Sequence, residues 1–300
     1  MSSAEVRPGE GANAEAIEAW DGPLYDRWMR FREVVTTGLG AHGEEALRLV
    51  PPQPGQRVLD IGCGLGDTTQ RIAEMVGPDG EVVGVDAAAR FIETAREEAA
   101  EAGLGNVRFL VADVQSTAFD ETFDLAFSRF GTMFFANPVA ALRNVRNALV
   151  PGGKLVMVVW RRRIDNDWLY RAQTIVEGIV SRPEEYDEPT CGPGPCSMAD
   201  ADTTSELLLH AGFTDVSLRR CESPILVGRD VDEAIDLVMS IGPAGEILRL
   251  AGERAAHLHG EVHAALAEGL AEFEGPDGVQ AQASTWIVTA SAPADAAALH

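Results

Sequence analysis

The sequence predicts an α/β fold: a doubly wound, Rossmann-like, mostly parallel sheet with helices on both faces, extended by a helical cap and an antiparallel late strand. Three observations lead there. Between Val58 and Trp160, short apolar runs alternate with amphipathic helical segments across short connections, the pattern of a parallel sheet covered on both sides. The first apolar run ends in a glycine cluster, Gly62, Gly64 and Gly66, where a strand can turn sharply into a helix. After Trp160 the alternation stops, and Val279 to Ala290 is a late, continuous apolar strand.

Each element has its own signal. Val58 to Ile61 reads as the first strand, and Thr68 to Val76 as a helix with Ile72, Ala73 and Val76 on one face. Glu81 to Val85 is the second strand. Ala89 to Ala102 follows as a helix, with Phe91, Ala95 and Ala99 at helical spacing and Gly103 as its stop. Val107 to Ala112 and Phe123 to Phe127 are further strands. Asn137-Pro138 supplies a cap and a first-turn proline for a helix carrying Val139, Leu142, Val145 and Leu149 inward. Pro151 to Gly153 turns the chain into the most apolar strand, Lys154 to Trp160.

Beyond it, Arg161 to Ala201 is rich in proline, glycine and acidic residues and shows no long strand. Ser205 to Ala211 reads as a short helix and Asp215 to Arg220 as a strand. Asp230 and Glu233 form a capping box for a helix with Val231, Ile235 and Val238 inward. A helical stretch from Ala244 to about Phe273 is expected to break near Gly260. The organisation expected is a helical lid over residues 1–50, a ligand-binding core over 51–160, a variable cap over 161–275, and a last core strand and tail over 276–300.

Composition excludes several function classes. The 300 residues hold 47 acidic and 24 basic side chains, a formal net charge of -23. Such a chain repels phosphate backbones and anionic membranes, and suits small-molecule partners. Met1 to Ala19 is polar and acidic, without the basic start and apolar run of a signal peptide. The densest apolar run, Leu155 to Trp160, is far below the ~20 residues that span a bilayer. Cytoplasmic location is the default expectation. Cys63, Cys191, Cys196 and Cys221 are too few and scattered for a disulfide framework.

The chemistry concentrates at the glycine loop, Asp60-Ile61-Gly62-Cys63-Gly64-Leu65-Gly66. Dinucleotide enzymes also use glycine loops, but the third glycine of their G-x-G-x-x-G pattern would stand at Asp67. Asp60 and Asp67 flank the loop. Each would repel a pyrophosphate by roughly a kcal/mol or more at partial exposure, and would attract a ligand bearing an ammonium and a sulfonium. Asp86 ends the second strand, where a carboxylate accepts from both ribose hydroxyls, and Asp113 follows the third, placed to accept from an adenine amine. The set fits S-adenosylmethionine (SAM) better than NAD.

These segments also carry a resemblance. VLDIGCGLGDTT, GVDAAARFIETAR, FLVADV and NALVPGGKLV resemble the successive motifs of class I SAM-dependent methyltransferases, in the group similar to the ubiquinone/menaquinone C-methyltransferases. The resemblance covers about residues 55–160. It implies that Asp60 and the backbone from Gly62 through Cys63, Gly64 and Leu65 to Gly66 hold the methionine part of SAM. By the same resemblance Asp86 holds the ribose with Ala87 beside the adenine, Asp113 and Val114 hold the adenine edge and face, and Arg129 occupies a cofactor-contact position. It implies methyl transfer to a small, largely apolar acceptor. An NAD-dependent oxidoreductase and a non-catalytic SAM-binding module are the alternatives.

Other residues carry two readings each. Trp20, Tyr25 and Trp28 surround the Asp21-Gly22-Pro23 break, either as a lid over the acceptor or as plain packing. Met133 and Phe134, next to Phe130 and Phe135, wall an apolar acceptor site or belong to the core. Arg161 to Arg163 reads as a solvated strand end or as an attractor for an acidic acceptor. His257, His259 and His263 lack accompanying carboxylates at ligand spacing, so no metal is expected. His42 and His210 are candidate bases by residue type alone, and no catalytic residue is assigned.

Overall fold

The computed structural model describes residues 13–180 and 194–294. The chain enters through α1 (Ala14–Ala19), a kinked turn at Gly22, α2 (Tyr25–Arg30) and the long α3 (Arg32–Leu49). The alternating unit follows as β1 (Arg57–Ile61), α4 (Asp67–Val76), β2 (Glu81–Asp86), α5 (Ala89–Glu101), β3 (Val107–Val111), β4 (Phe123–Arg129), α6 (Pro138–Asn147) and β5 (Leu149–Trp160). Then come α7 (Asp167–Ile179), α8 (Ala201–His210), β6 (Thr214–Gly228), α9 (Val231–Ile241), α10 (Pro243–Ala251), α11 (His259–Leu270), β7 (Glu274–Gly275) and β8 (Gly278–Ser291).

The strands form one sheet in the order β3-β2-β1-β4-β5-β8-β6, with β7 paired to β8. The first five are parallel; β8 runs antiparallel to β5, and β6 antiparallel to β8. Order reverses between β1 and β4, and ligands of open α/β sheets bind at the carboxyl ends beside such a switch point. The central strands are buried along their middles: Val58, Leu59 and Ile61 are fully covered, as are Val82, Val83, Val85, Ala126 and Phe127. That is why these runs carry no polar alternation.

Two large cores share the sheet, beside a smaller cluster of Phe109 on β3 with Ile92 and Ala95 of α5. The first joins the parallel strands to Ile72 and Ala73 of α4, Leu142 and Val145 of α6, and Leu208 of α8. The second lies over the far halves of β6 and β8, where Ile225, Val227, Ala281 and Ala283 meet Phe31 just before α3, Val34 of α3, Ala172 of α7 and Ile247 of α10. The antiparallel strands outrun the parallel sheet, and their overhang is the floor on which the cap helices are built.

Two sequence expectations are corrected here, and one helix is added. Helix α7 occupies part of the stretch expected to hold no long strand, burying Trp168, Ala172 and Val176; the Pro- and Gly-rich residues after it diluted its 13-residue amphipathic pattern. Strand β6 runs to Gly228 rather than stopping at Arg220, passing through Pro224. It pairs on one side only, with β8, and an edge strand tolerates a proline because its missing N–H has no ladder partner to lose. The late helical stretch breaks at Gly252 (φ 56°), not near Gly260, which lies inside α11. The predicted caps hold. Asn137 accepts from the Ala140 N–H and Asp230 from the Glu233 N–H, while Glu233 reaches back to the N–H of Arg229, one residue earlier than a capping box expects.

Candidate active site

Gly62, Gly64 and Gly66 all have positive φ (64°, 54° and 81°), a conformation side chains disfavour. Space excludes them as well. A Cβ on Gly62 would stand 2.8 Å from the Gly131 Cα, and one on Gly66 2.8 Å from the Phe109 ring. The Gly62 and Cys63 N–H groups both donate to the Val85 carbonyl, at 2.8 and 3.1 Å, which pins the loop to the end of β2.

Asp60, the next-to-last residue of β1, is 1% exposed. Burial pushes its carboxyl up to about 6, although the Thr69 hydroxyl, donating at 2.6 Å, opposes the shift. Thr69 is a residue that sequence reading missed; its signal was a hydroxyl in the first turn after the loop. Asp86 accepts the Gly64 N–H on one oxygen and the Ala88 N–H on the other, both at 3.0 Å. Burial raises its pKa, and those backbone donors restrain the rise. Each oxygen keeps a lone pair for a further donor. Asp113 accepts from the Gln115 N–H at 3.0 Å. Burial pushes the Cys63 thiol well above its ordinary range, so it is inert as a nucleophile.

One cavity of about 860 Å³ gathers these groups. Asp60, Gly62, Cys63, Gly64, Leu65, Asp86, Ala87, Asp113, Val114 and Arg129 line it, together with Trp20, Trp28, Met133 and Phe134 and the flanking Asp67. Gly66 and Tyr25 do not. Gly66 sits behind the loop as the left-handed residue before α4. Tyr25 faces the other way, its hydroxyl 2.8 Å from Thr94 Oγ1 and its ring against Phe91 and under Arg90, so it fastens the N-terminal segment rather than walling the cavity. Trp20 makes edge contacts with Trp28, Phe91 and Phe134. The Arg90 N–H donates to Asp21 at 2.8 Å.

Arg129 is the basic member of the expected set. Its guanidinium ends β4 near Asp60 and Asp67, and burial lowers its pKa. No acceptor among the described residues hydrogen-bonds it, and no carboxylate there lies within ion-pair distance. A buried cation without a partner is costly, and the cavity is the place from which an anionic group can reach it.

Neither candidate base lines the cavity. His42 is fully buried behind Phe130 and Trp160, its Nδ1 3.0 Å from Thr285 Oγ1 and its Nε2 without a partner; burial holds its pKa down to about 4. His210 lies on α8 with Nδ1 against its own helix at the Glu206 carbonyl. Among the described residues no group of three or more His, Cys, Asp or Glu is placed to hold a metal, and no helix is long and apolar enough to cross a membrane. Cys191 lies outside the described residues. Beyond the expected set, the cavity wall continues into the cap through Trp160, Arg161, Trp168, Leu226, Ile241 and Arg249, which sequence patterns did not bring together because they come from separate elements.

Residues 52–198 match the family model described as a methyltransferase domain. The chain is 39% identical over 114 residues to the aklanonic acid methyltransferase DauC of Streptomyces sp. (strain C5), covering 38% of this chain and 52% of that protein. It is 34% identical over 139 residues to the ubiquinone/menaquinone biosynthesis C-methyltransferase UbiE of Ectopseudomonas mendocina (strain ymp), covering 46% and 49%. The chain thus spans about half the length of the curated relatives it matches. In fold it is similar to the YcgJ protein of Bacillus subtilis, with a TM-score of 0.55 at 17% identity, over 85% of this chain and 99% of that one.

Proposed function

We propose, on the premise that residues 52–198 belong to the methyltransferase-domain family of class I SAM-dependent enzymes, that this protein moves a methyl group from SAM to a small, largely apolar organic acceptor. The observation that carries the reading is that one cavity holds the glycine loop, the strand-end acids and an unpartnered guanidinium together.

Those residues fit the cofactor by charge and by shape. Asp60 and the loop backbone would take the ammonium end, and Arg129 the carboxylate of the same methionine moiety. Asp86, with a lone pair spare on each oxygen, would take the ribose, Ala87 and Val114 the faces of the adenine, and Asp113 its amine. A pyrophosphate would meet Asp60 and Asp67 instead, and like charges in one partly buried site disfavour the NAD reading.

The cofactor supplies an activated methyl group for in-line displacement. What remains for the chain is alignment, desolvation and close approach. Phe130, Met133 and Phe134 at the end of β4, with Trp20 and Trp28 from the N-terminal helices, form an apolar wall that keeps water from the reacting atoms. The described residues of the N-terminal segment, up to residue 50, act in this reading as a lid and those of 161–275 as a cap on the 51–160 core, with the strand from Gly278 to Ser291 closing the sheet. No wall residue is assigned as a general base, which an acceptor needs only if it loses a proton during attack.

Two experiments test the reading. S-adenosylhomocysteine (SAH) raises the thermal midpoint and NADH does not; at 100 times the dissociation constant the gain is about 2.7 kcal/mol. Labelled methyl from SAM enters a small-molecule extract of a bacterial culture and is located by mass spectrometry. Stabilisation by NADH alone refutes the cofactor, and SAH binding without transfer into any extract leaves a non-catalytic SAM-binding module.

A further inference from the structure

The cavity is electrically divided. On the glycine-loop side its wall carries Asp60, Asp67, Asp86 and Asp113, with Arg129 as the one cation among them. On the cap side the charged wall residues among the described ones include Arg161 and Arg249, and Arg249 is already paired with Glu246 at 2.6 Å. In a chain of net charge -23, a buried guanidinium across from those carboxylates favours an anionic group on a second ligand.

Arg161 is the built part of that wall. It directly follows β5, whose carboxyl end opens on the cavity, and its side chain is 11% exposed. One terminal nitrogen donates to Ser284 Oγ at 2.8 Å, and the guanidinium lies 4.7 Å over the Trp286 ring. Its counter-ion, Asp165, is 3.4 Å away, and two nitrogens of Arg162 approach the same carboxylate at 3.0 and 3.2 Å. One carboxylate between two guanidiniums leaves a positive excess. The Arg161 Nε and the Trp168 indole Nε1, both on cavity-lining residues, are buried donors with no acceptor. Such donors are costly to leave unmade. Around them the wall is apolar, with Leu39, Phe130, Trp160, Leu226 and Ile241.

We propose that the methyl acceptor is an amphipathic organic acid, its apolar body against Phe130, Trp160 and Ile241 and its anionic oxygen group held by Arg161. This rests on the methyltransferase reading for the word acceptor, but the anion site itself is testable by binding alone. Arg161 is held in place before the ligand arrives, so an N–H not used by Ser284 or Asp165 is spent on the anion without loss of side-chain freedom.

The test uses two fluorescent probes that differ by one charged group. They are 8-anilino-1-naphthalenesulfonate and N-phenyl-1-naphthylamine, which lacks the sulfonate. Both are titrated into full-length protein saturated with SAH, whose own affinity is measured by calorimetry on the same samples. The sulfonate binds one per chain and at least about tenfold more tightly than the neutral probe. Arg161→Met removes that preference while the neutral probe and SAH keep their affinities, and Arg161→Lys retains part of it. Equal affinities for the two probes in the unaltered protein overturn the proposal without needing any variant. So does an unchanged preference in a folded Arg161→Met protein. If SAH itself does not bind, the methyltransferase reading falls; if SAH binds and the sulfonate gains nothing, the anion site alone falls.

Discussion

If Asp60 receives the cofactor ammonium, cofactor affinity must follow the ionisation of that carboxyl. Burial holds it at about 6 in the free protein. The sign follows from the bound state, where a cation beside the carboxylate favours the ionised form and returns the pKa toward its usual range near 4. Binding then releases a proton, and affinity rises with pH until Asp60 is ionised without help. With a pKa of about 6, roughly a tenth of the free protein is ionised at pH 5 and nine-tenths at pH 7. The dissociation constant for SAH should therefore fall about tenfold across that interval, worth about 1.4 kcal/mol, and level off above pH 7. Asp86 is raised by burial too, so its contribution has the same sign and tenfold is a lower bound. Calorimetry at pH 5, 6, 7 and 8, in two buffers of different ionisation enthalpy, reads affinity and proton release together. Asp60→Asn can still accept the Thr69 hydroxyl and should flatten most of the dependence while weakening binding at pH 7. An affinity constant within twofold from pH 5 to 7, or an undiminished slope in Asp60→Asn, would falsify the placement of the ammonium at Asp60.

Four further outcomes follow from the same geometry. Asp86→Ala removes charge-assisted acceptors worth about 1.5–3 kcal/mol, so calorimetry should find SAM affinity reduced at least tenfold. Arg129→Met relieves an unpartnered buried cation; its thermal midpoint should hold or rise while SAH affinity drops about tenfold or more, and a lowered midpoint with unchanged affinity would contradict the assignment. His42, held near 4, stays neutral in the fold but protonates near 6.5 when unfolded, so its contribution is complete above that value and lost as pH falls toward 4. The stability gap between the unaltered protein and His42→Gln, measured by urea denaturation, should shrink by about 2 kcal/mol from pH 7 to pH 4.5. Deleting Met1 to Arg30 should abolish methyl transfer while weakening SAH binding much less, because it removes Trp20 and Trp28 from the wall and leaves the glycine loop, Asp86 and Asp113.

What the sequence made legible divides along a physical line. The five parallel strands and their helices were readable because each pairs a local period with a local stop: the apolar run of β1 ends in glycines, and α6 begins on a capping asparagine. The strand-end acids were readable for the same reason, since a carboxylate at or just past the end of an apolar run sits at the open end of a parallel sheet. The cap was not. Trp168 belongs to a helix whose neighbouring segment is dominated by prolines and glycines, and the far half of β6 alternates around a proline that looks like a terminator. The partners of these residues lie far along the chain: Asn166 exchanges hydrogen bonds with the backbone of Ser284, accepting its N–H at 2.8 Å and donating to its carbonyl at 3.2 Å. No window of sequence contains such a contact. Tyr25 failed differently, because an aromatic cluster near a lid gives no sign of which ring turns inward and which is drawn out by a hydroxyl partner such as Thr94.

The same division explains how the cavity acquires its two characters. Its acidic half is made of residues fixed by short loops after β1, β2 and β3, each within a few positions of the strand that carries it. Its cap half depends on β8 and β6 running antiparallel past the end of β5, so that the 161–168 segment can fasten on Ser284 and present Arg161 and Trp168 beside the open strand ends. If that is how the wall is built, disturbing the fastening should move acceptor-side chemistry and spare the cofactor side. Ser284→Ala leaves the strand backbone intact but removes the hydroxyl that accepts from Arg161 at 2.8 Å. Loss of a neutral partner to a charged donor is worth about 1.5–3 kcal/mol, enough to let the guanidinium leave its place over Trp286. The variant should therefore bind SAH as before and lose most of the preference for the sulfonate probe over its neutral counterpart. Equal losses on both sides would mean that the two halves of the cavity are one cooperative unit, and the separation argued from the strand order would fail.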